Sequence, residues 1–363
     1  MRGSCAPSYL ARGFFLENVM SENVETHPNE IRLVWRWLEI KQHNEGRSPI
    51  TCALYRGHIF GLRHFLQDRG KDLLDATTED LEHYAGQHQH QKKVRPISRR
   101  VVVTAIRGFY QFLADKKVLA ESPARSLPMP AAGSPLPLAM PLHYAEQLLM
   151  QPGLGDFIAI RNTAIIGVLV GTGCRASGVC NLNEGDFAID PESTGAHRRK
   201  LLLREKGKKE RWVPLPFEIS LLIEAYLGCP ELQEIDRTTK NGDKVLFVSL
   251  AHPRLGAHDH YGERRRLGPW SIHWIVRKTA RAAGIPDQYA HPHALRHLFG
   301  AELAEDDVDL LTRQSLLGHA DPATTEVYSH LATRKLRKVV EKAGPVAKMK
   351  TTPMRGIERR LQR

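Results

Sequence analysis

Leu316-Leu317-Gly318-His319-Ala320-Asp321-Pro322-Ala323-Thr324-Thr325-Glu326-Val327-Tyr328 decides how the rest of this chain is read. Asp321-Pro322 supplies an N-cap and a first helical residue, so the Ala/Thr stretch behind it predicts a short helix with Tyr328 about two turns in. Gly318 suits the end of the preceding helix, which leaves His319 just before the next one. A tyrosine so placed is, by itself, a half-buried packing residue. Its meaning depends on what lies upstream.

Three upstream phrases supply the company. His293-Ala294-Leu295-Arg296-His297 sits shortly before the opening stretch. Farther back, Thr172-Gly173-Cys174-Arg175-Ala176-Ser177 follows the apolar run Ala164 to Val170, so that an arginine stands where a buried helix ends in glycine. Between them, Lys200-Leu201-Leu202-Leu203-Arg204-Glu205 and Glu210-Arg211-Trp212-Val213-Pro214-Leu215 flank Lys206-Gly207-Lys208-Lys209. Two apolar stretches around a short glycine-containing connection predict a β-hairpin with lysines at its tip.

The order Arg175, Lys206, His293, Arg296, His319, Tyr328 resembles the tyrosine recombinase, or phage integrase, family. The resemblance covers residues 137 to 335 strongly and residues 20 to 130 more loosely. It implies a mainly α fold with a small β-sheet: a two-domain DNA clamp made of a helical, SAM-like core-binding domain and an α+β catalytic domain. It also implies a site-specific DNA recombinase that cuts and rejoins strands through a covalent 3′-phosphotyrosyl intermediate, in integration, excision or dimer resolution. Its partner is double-stranded DNA at specific sites, with a homodimer on one site and a tetramer in synapsis. Rival readings are a topoisomerase-like enzyme relaxing DNA by the same chemistry, and a catalytically decayed DNA-binding protein.

The chemistry explains the residue set. A phenol ionises near pH 10, so Tyr328 attacks phosphorus at neutral pH only if its proton is taken or its anion stabilised. The pentacoordinate phosphorane builds charge on its non-bridging oxygens, which suits paired donors from Arg175 and Arg296 and a further hydrogen bond from His319. By resemblance, His293 is a general acid/base near the nucleophile and Lys206 protonates the departing 5′-hydroxyl. Lys208 is its rival, because the polar stretch Pro191 to Arg199 lengthens the segment before it. The family commonly has an acidic residue where this chain has Gly178; Glu184 or Asp186 are possible substitutes for orienting Arg175.

No cofactor is expected. The sequence has no Cys-x-x-Cys pair, no His-Glu-x-x-His and no Gly-x-x-x-x-Gly-Lys-Ser/Thr loop, so neither a metal site nor ATP is implied. Arginines would neutralise the charge that two metal ions neutralise in many nucleases. The phosphotyrosyl bond would conserve the energy needed for rejoining.

At 363 residues with 42% apolar content, the chain is sized for two domains. Its net charge is +12, but Arg334 to Arg363 holds eleven Lys/Arg against Glu341 and Glu358, or +9, leaving +3 for the remainder. Local clusters therefore matter more than the total. Lys92, Lys93, Arg95, Arg99 and Arg100, with Lys208, Lys209 and Arg211 on the hairpin, are the candidate phosphate-binding residues, and Arg264-Arg265-Arg266 forms a further basic run. No run of apolar residues approaches membrane-spanning length, and no signal peptide is recognisable, so a cytoplasmic, nucleoid-associated protein with no membrane partner is expected. Five scattered cysteines, Cys174 among them, fit reduced thiols.

The predicted organisation begins with a loosely ordered segment, 1–25, in which Met20 is an alternative start. A helical core-binding domain follows over 26–121, a Pro-rich linker over 122–141, the catalytic domain over 142–343 and a basic disordered tail over 344–363. Within the first domain, helices are expected over 30 to 44 and 49 to 68, the second with Ile59, Leu62 and Leu66 on one face. Another opens at Thr78-Glu79-Asp80-Leu81. A longer one, capped by Ser98, aligns Val102, Ile106, Phe109 and Leu113. No extra N-terminal domain for arm-type DNA sites is evident. In the tail, Leu336, Val339 and Val340 form one apolar stripe, the candidate for the helix that the family donates to a neighbouring protomer.

Overall fold

The computed structural model describes residues 29–131, 138–191, 199–205, 209–252, 255–318 and 325. The chain divides into two compact units, Met1–Ser134 and Pro135–Arg363.

The first unit is helical. Helix α1, Asn29–Glu39, runs into a π-helical turn at Ile40–Asn44. Helix α2, Pro49–Gln67, starts at Ser48, whose hydroxyl accepts from Thr51 N–H at 3.2 Å, with Pro49 supplying the fixed first φ. Helix α3, Thr78–His83, is opened by a capping box in which Thr77 and Asp80 exchange side-chain and backbone hydrogen bonds. Helix α4 spans Pro96–Asp115. Its start differs from expectation, because Pro96 at the first helical position begins the helix early and Arg95 becomes the capping residue, leaving Ser98 inside the first turn.

The expected stripes face the core. Ile59, Leu62 and Leu66 of α2 and Val102, Ile106, Phe109 and Leu113 of α4 are buried around Trp37, whose ring meets Phe109 edge-on at 5.5 Å. A buried carboxylate is part of this core. Glu30 accepts from Arg63 Nε at 2.5 Å and from Leu73 N–H at 2.8 Å, which meets the need of a desolvated charge for partners.

The second unit is built on a central helix. Helix α5, Leu142–Met150, packs on α6, Phe157–Thr172, which is apolar all round from Ala164 to Leu169 and buried there. Helix α7, Ala176–Cys180, leads to a three-stranded antiparallel sheet of β1, Phe187–Ile189, β2, Arg199–Glu205, and β3, Lys209–Pro214. The polar stretch after Pro191 thus lies between β1 and β2. The expected hairpin is β2–β3. Its connection is three residues rather than four, because Lys209 pairs with Glu205 in the ladder.

Helices α8, Phe217–Leu227, α9, Pro269–Ala282, α10, Pro292–Glu305, and α11, Leu310–Leu317, complete the unit. Gly167 and Gly171 let α8 approach α6 closely, since a Cβ at either would fall 3.0 or 3.1 Å from Ile219. Helix α10 also packs on α6. The architecture is mostly helical with one small sheet, as expected. Among the described residues, no helix is long and apolar enough to cross a membrane. Cys52, Cys174, Cys180 and Cys229 are buried thiols.

Candidate active site

The site begins where α6 ends. Gly173 caps that helix at φ +58°, a left-handed conformation, and the face where a Cβ would project is filled by Phe299, whose ring carbon would lie 2.5 Å from it. Thr172 Oγ1 donates to Val168 O at 2.7 Å and accepts from Cys174 N–H at 3.3 Å, tightening the turn. Arg175 emerges directly after, half-buried, as the capping residue of α7.

Helix α10 brings the second group. His291 Nδ1 accepts from Ala294 N–H at 3.1 Å and Pro292 occupies the first helical position, so His293 falls in the first turn with Arg296 one turn further on. Arg296 is 3% exposed. Its Nη1 donates to Gly173 O and its Nη2 to Leu317 O, both at 2.7 Å. One guanidinium therefore ties the end of α6 to the end of α11. Two helix C-termini, each with orphan carbonyls and a partial negative charge, make a favourable place for a buried cation.

Arg175 and Arg296 are both near enough to His293 for their charge to act on it. Partial burial, followed by the positive charge of Arg296, His291, His273 and Arg175, holds His293 below the usual histidine range. His297, whose ring stacks on His293 at 6.3 Å between centroids, is pulled down to about 4 by burial and then by His293, His291 and Arg296. Both imidazoles are held neutral near pH 7, the form able to accept a proton. In sequence His297 closes the His293–His297 motif and carries no role of its own.

The remaining predicted groups divide. Lys206, Lys208, His319 and Tyr328 lie outside the described residues. Gly318, which precedes His319, caps α11 at φ +65°, as its place in the sequence predicts. Arg211 of β3 donates through Nε to Leu316 O at 3.0 Å, one carbonyl before the one Arg296 holds. Lys209 is a ladder residue of β3.

Gly178 is buried in α7, and the two candidate substitute acids have other partners. Asp186 pairs with Arg204, which also bonds Glu210 at 3.0 Å, and Glu184 pairs with Arg237 at 2.7 Å. The Arg264–Arg266 run is likewise occupied internally. Arg266 donates to Cys180 O, Leu182 O and Asn183 Oδ1, Arg265 to His260 Nδ1, and Arg264 to Asp259 O. In the first unit, Lys92, Lys93, Arg95 and Arg100 are exposed and Arg99 is half-buried; Arg100 also reaches Pro130 O at 3.4 Å. No group of three or more His, Cys, Asp or Glu side chains suited to a metal occurs among the described residues.

Comparison with known proteins gives consistent results. Residues 143–335 match the model of the phage integrase family, and residues 34–117 match that of the phage integrase N-terminal SAM-like domain. Tyrosine recombinase XerC of Pseudomonas syringae pv. syringae is 33% identical over 84% of this chain and 93% of its own length. Tyrosine recombinase XerD of Caulobacter vibrioides is 30% identical over 86% of this chain and 96% of its own length. Among solved structures, XerH bound to a palindromic difH substrate superposes with a TM-score of 0.61 at 17% identity, over 87% of this chain and 85% of that one. A lambda integrase dimer on a core site gives 0.58 at 15% identity, over 82% and 76%.

Proposed function

The chain belongs to the phage integrase family of tyrosine recombinases, and from that premise we propose that it breaks and rejoins specific DNA sites by attack of Tyr328 on phosphorus. It is a site-specific recombinase by relationship to its family. The roles of individual side chains rest on one observation above all: Arg296 bonds the carbonyl of Gly173, two residues before Arg175, and both guanidiniums act on the charge of His293, although 118 and 121 positions separate Arg175 from His293 and Arg296.

In this reading Arg175 and Arg296 present positive charge to the non-bridging oxygens of the scissile phosphate, and His319, in the residue after the α11 cap, adds a hydrogen bond. His293, held neutral, is ready to take a proton in the first turn of α10. Lys206 on the hairpin gives a proton to the 5′-oxygen as it leaves. The product is a 3′-phosphotyrosyl bond and a free 5′-hydroxyl, and attack of another 5′-hydroxyl on that bond reseals the strand. Arg296 also builds the site, since two of its five N–H groups hold the carbonyls of Gly173, two residues before Arg175, and Leu317, two residues before His319 in the sequence.

The working assembly is a dimer on one duplex site and a tetramer when two sites pair, by analogy with relatives of this fold. Exposed Lys92, Lys93, Arg95 and Arg100 are suited to the DNA backbone. The deciding experiment traps the protein on a nicked duplex carrying candidate sites from its genomic surroundings. Wild type should form a covalent adduct at Tyr328, and Tyr328→Phe should bind equally well and form none. An adduct mapped to another residue rejects the nucleophile. Efficient relaxation of random supercoiled DNA by the monomer, without paired sites, would favour a topoisomerase-like enzyme instead.

A further inference from the structure

Arg211 stands opposite Leu203 in the β2–β3 ladder, on the strand that leaves the hairpin tip. From there it reaches across 105 positions of chain to Leu316 O. Its guanidinium also lies against Gly318, close enough that a Cβ there would fall 2.3 Å from Nη1. Arg296 takes the next carbonyl, Leu317 O. The last two carbonyls of α11 thus each end on a guanidinium, at the negative end of the helix dipole. Gly318, at φ +65°, is then followed in sequence by His319.

We infer that Arg211 is a positioning residue for the strand-cleavage reaction: it docks the hairpin strand onto the C-terminus of α11 and thereby fixes where the segment leading to His319 begins. This rests on the reading of His319 as a phosphate ligand given above. A side chain engaged on protein backbone at this point acts on the reaction through His319 rather than by holding DNA. The contact also joins β3, which follows Lys206 in the sequence, to the end of α11, which precedes His319, although the two are far apart in the chain. Gly318 is part of the same device, since any side chain there would meet the guanidinium.

The test is a double-mutant cycle in the full chain, using the nicked duplex that traps the wild type. Adduct formation is timed for wild type, Arg211→Ala, Arg211→Lys, His319→Ala and the Arg211→Ala/His319→Ala double variant, alongside DNA affinity at several salt concentrations. Arg211→Ala should cut the cleavage rate by about 10²-fold, the cost of a small misplacement of a catalytic group. Arg211→Lys should recover part of it, affinity and salt slope should stay at wild-type values, and adding Arg211→Ala to His319→Ala should change little. Additive losses, or an unchanged rate in Arg211→Ala, overturn the inference. So does a weakened affinity with a salt slope reduced by about one, which would make Arg211 a phosphate contact. If Arg211→Ala does not fold by thermal melting, the cycle is decided with Arg211→Lys and Arg211→Gln. Absence of a wild-type adduct would sink the functional reading, whereas a trapped wild type with additive losses sinks this inference alone.

Discussion

Arg296 on α10 donates to the carbonyl of Gly173, 123 positions earlier, and that bond holds the end of α6 against the helix that carries His293. Removing the guanidinium leaves two buried carbonyls to find new partners, at about 1–3 kcal/mol for each. Arg296→Ala should therefore lower the urea midpoint as well as slow adduct formation, where a lost transition-state donor costs roughly 3–4 kcal/mol. Arg175 is less buried than Arg296, so Arg175→Ala should lose cleavage with a smaller shift in midpoint. Equal destabilisation of the two variants would contradict this division.

Gly173→Ala tests the cap directly. The left-handed φ costs a side-chain-bearing residue about 1–2 kcal/mol, and the new methyl meets Phe299. Phe299→Ala in the same chain should relieve the contacts with the ring and leave the backbone cost together with a tight 3.0 Å approach to the Cβ of residue 299. Chemical denaturation of the two single variants and the double variant reads this out, and strictly additive losses would show that the ring is not what the methyl meets.

The histidine pair predicts a pH dependence. His297 is held well below the unfolded value of about 6.5, near 4, so the unfolded chain binds the extra proton first. Its contribution to stability is complete above about pH 6.5 and is lost as pH falls toward 4. His293 shifts in the same direction. Melting temperature followed over this range should fall with acidification, and His297→Leu should flatten the curve. An unaltered slope in that variant would remove His297 from the account.

Leaving-group chemistry separates the two hairpin lysines. A substrate with sulfur in the 5′-bridging position departs as a thiolate and needs no proton. It should restore cleavage by Lys206→Ala. Rescue of Lys208→Ala together with continued inactivity of Lys206→Ala would transfer the role to Lys208.

Much of this molecule is legible in short windows of sequence because the determinants are local. Gly318 reads as a helix end, Ile59, Leu62 and Leu66 as a buried stripe, and the glycine-containing lysine run as a hairpin tip. What sequence hides is the use of backbone carbonyls by distant side chains, since every residue has a carbonyl and none advertises it. Arg211 and Arg266 read as basic surface for that reason, yet the structure engages them with the carbonyls of Leu316, Cys180 and Leu182. His291 escaped notice as a cap because imidazole seldom serves as one. Ser98 reads as the cap because a capping side chain is an easier signal than the missing N–H of Pro96.

The two glycines of α6 that face Ile219 have a mechanical meaning. They cut a notch into an otherwise smooth apolar rod, and the branched side chain of α8 seats in it, so α6 is indexed along its length and not merely held sideways. Arg175 rides just beyond the tip of that rod. A volume change at Ile219, deep in the core, would slide the rod in its notch and be felt at Arg175.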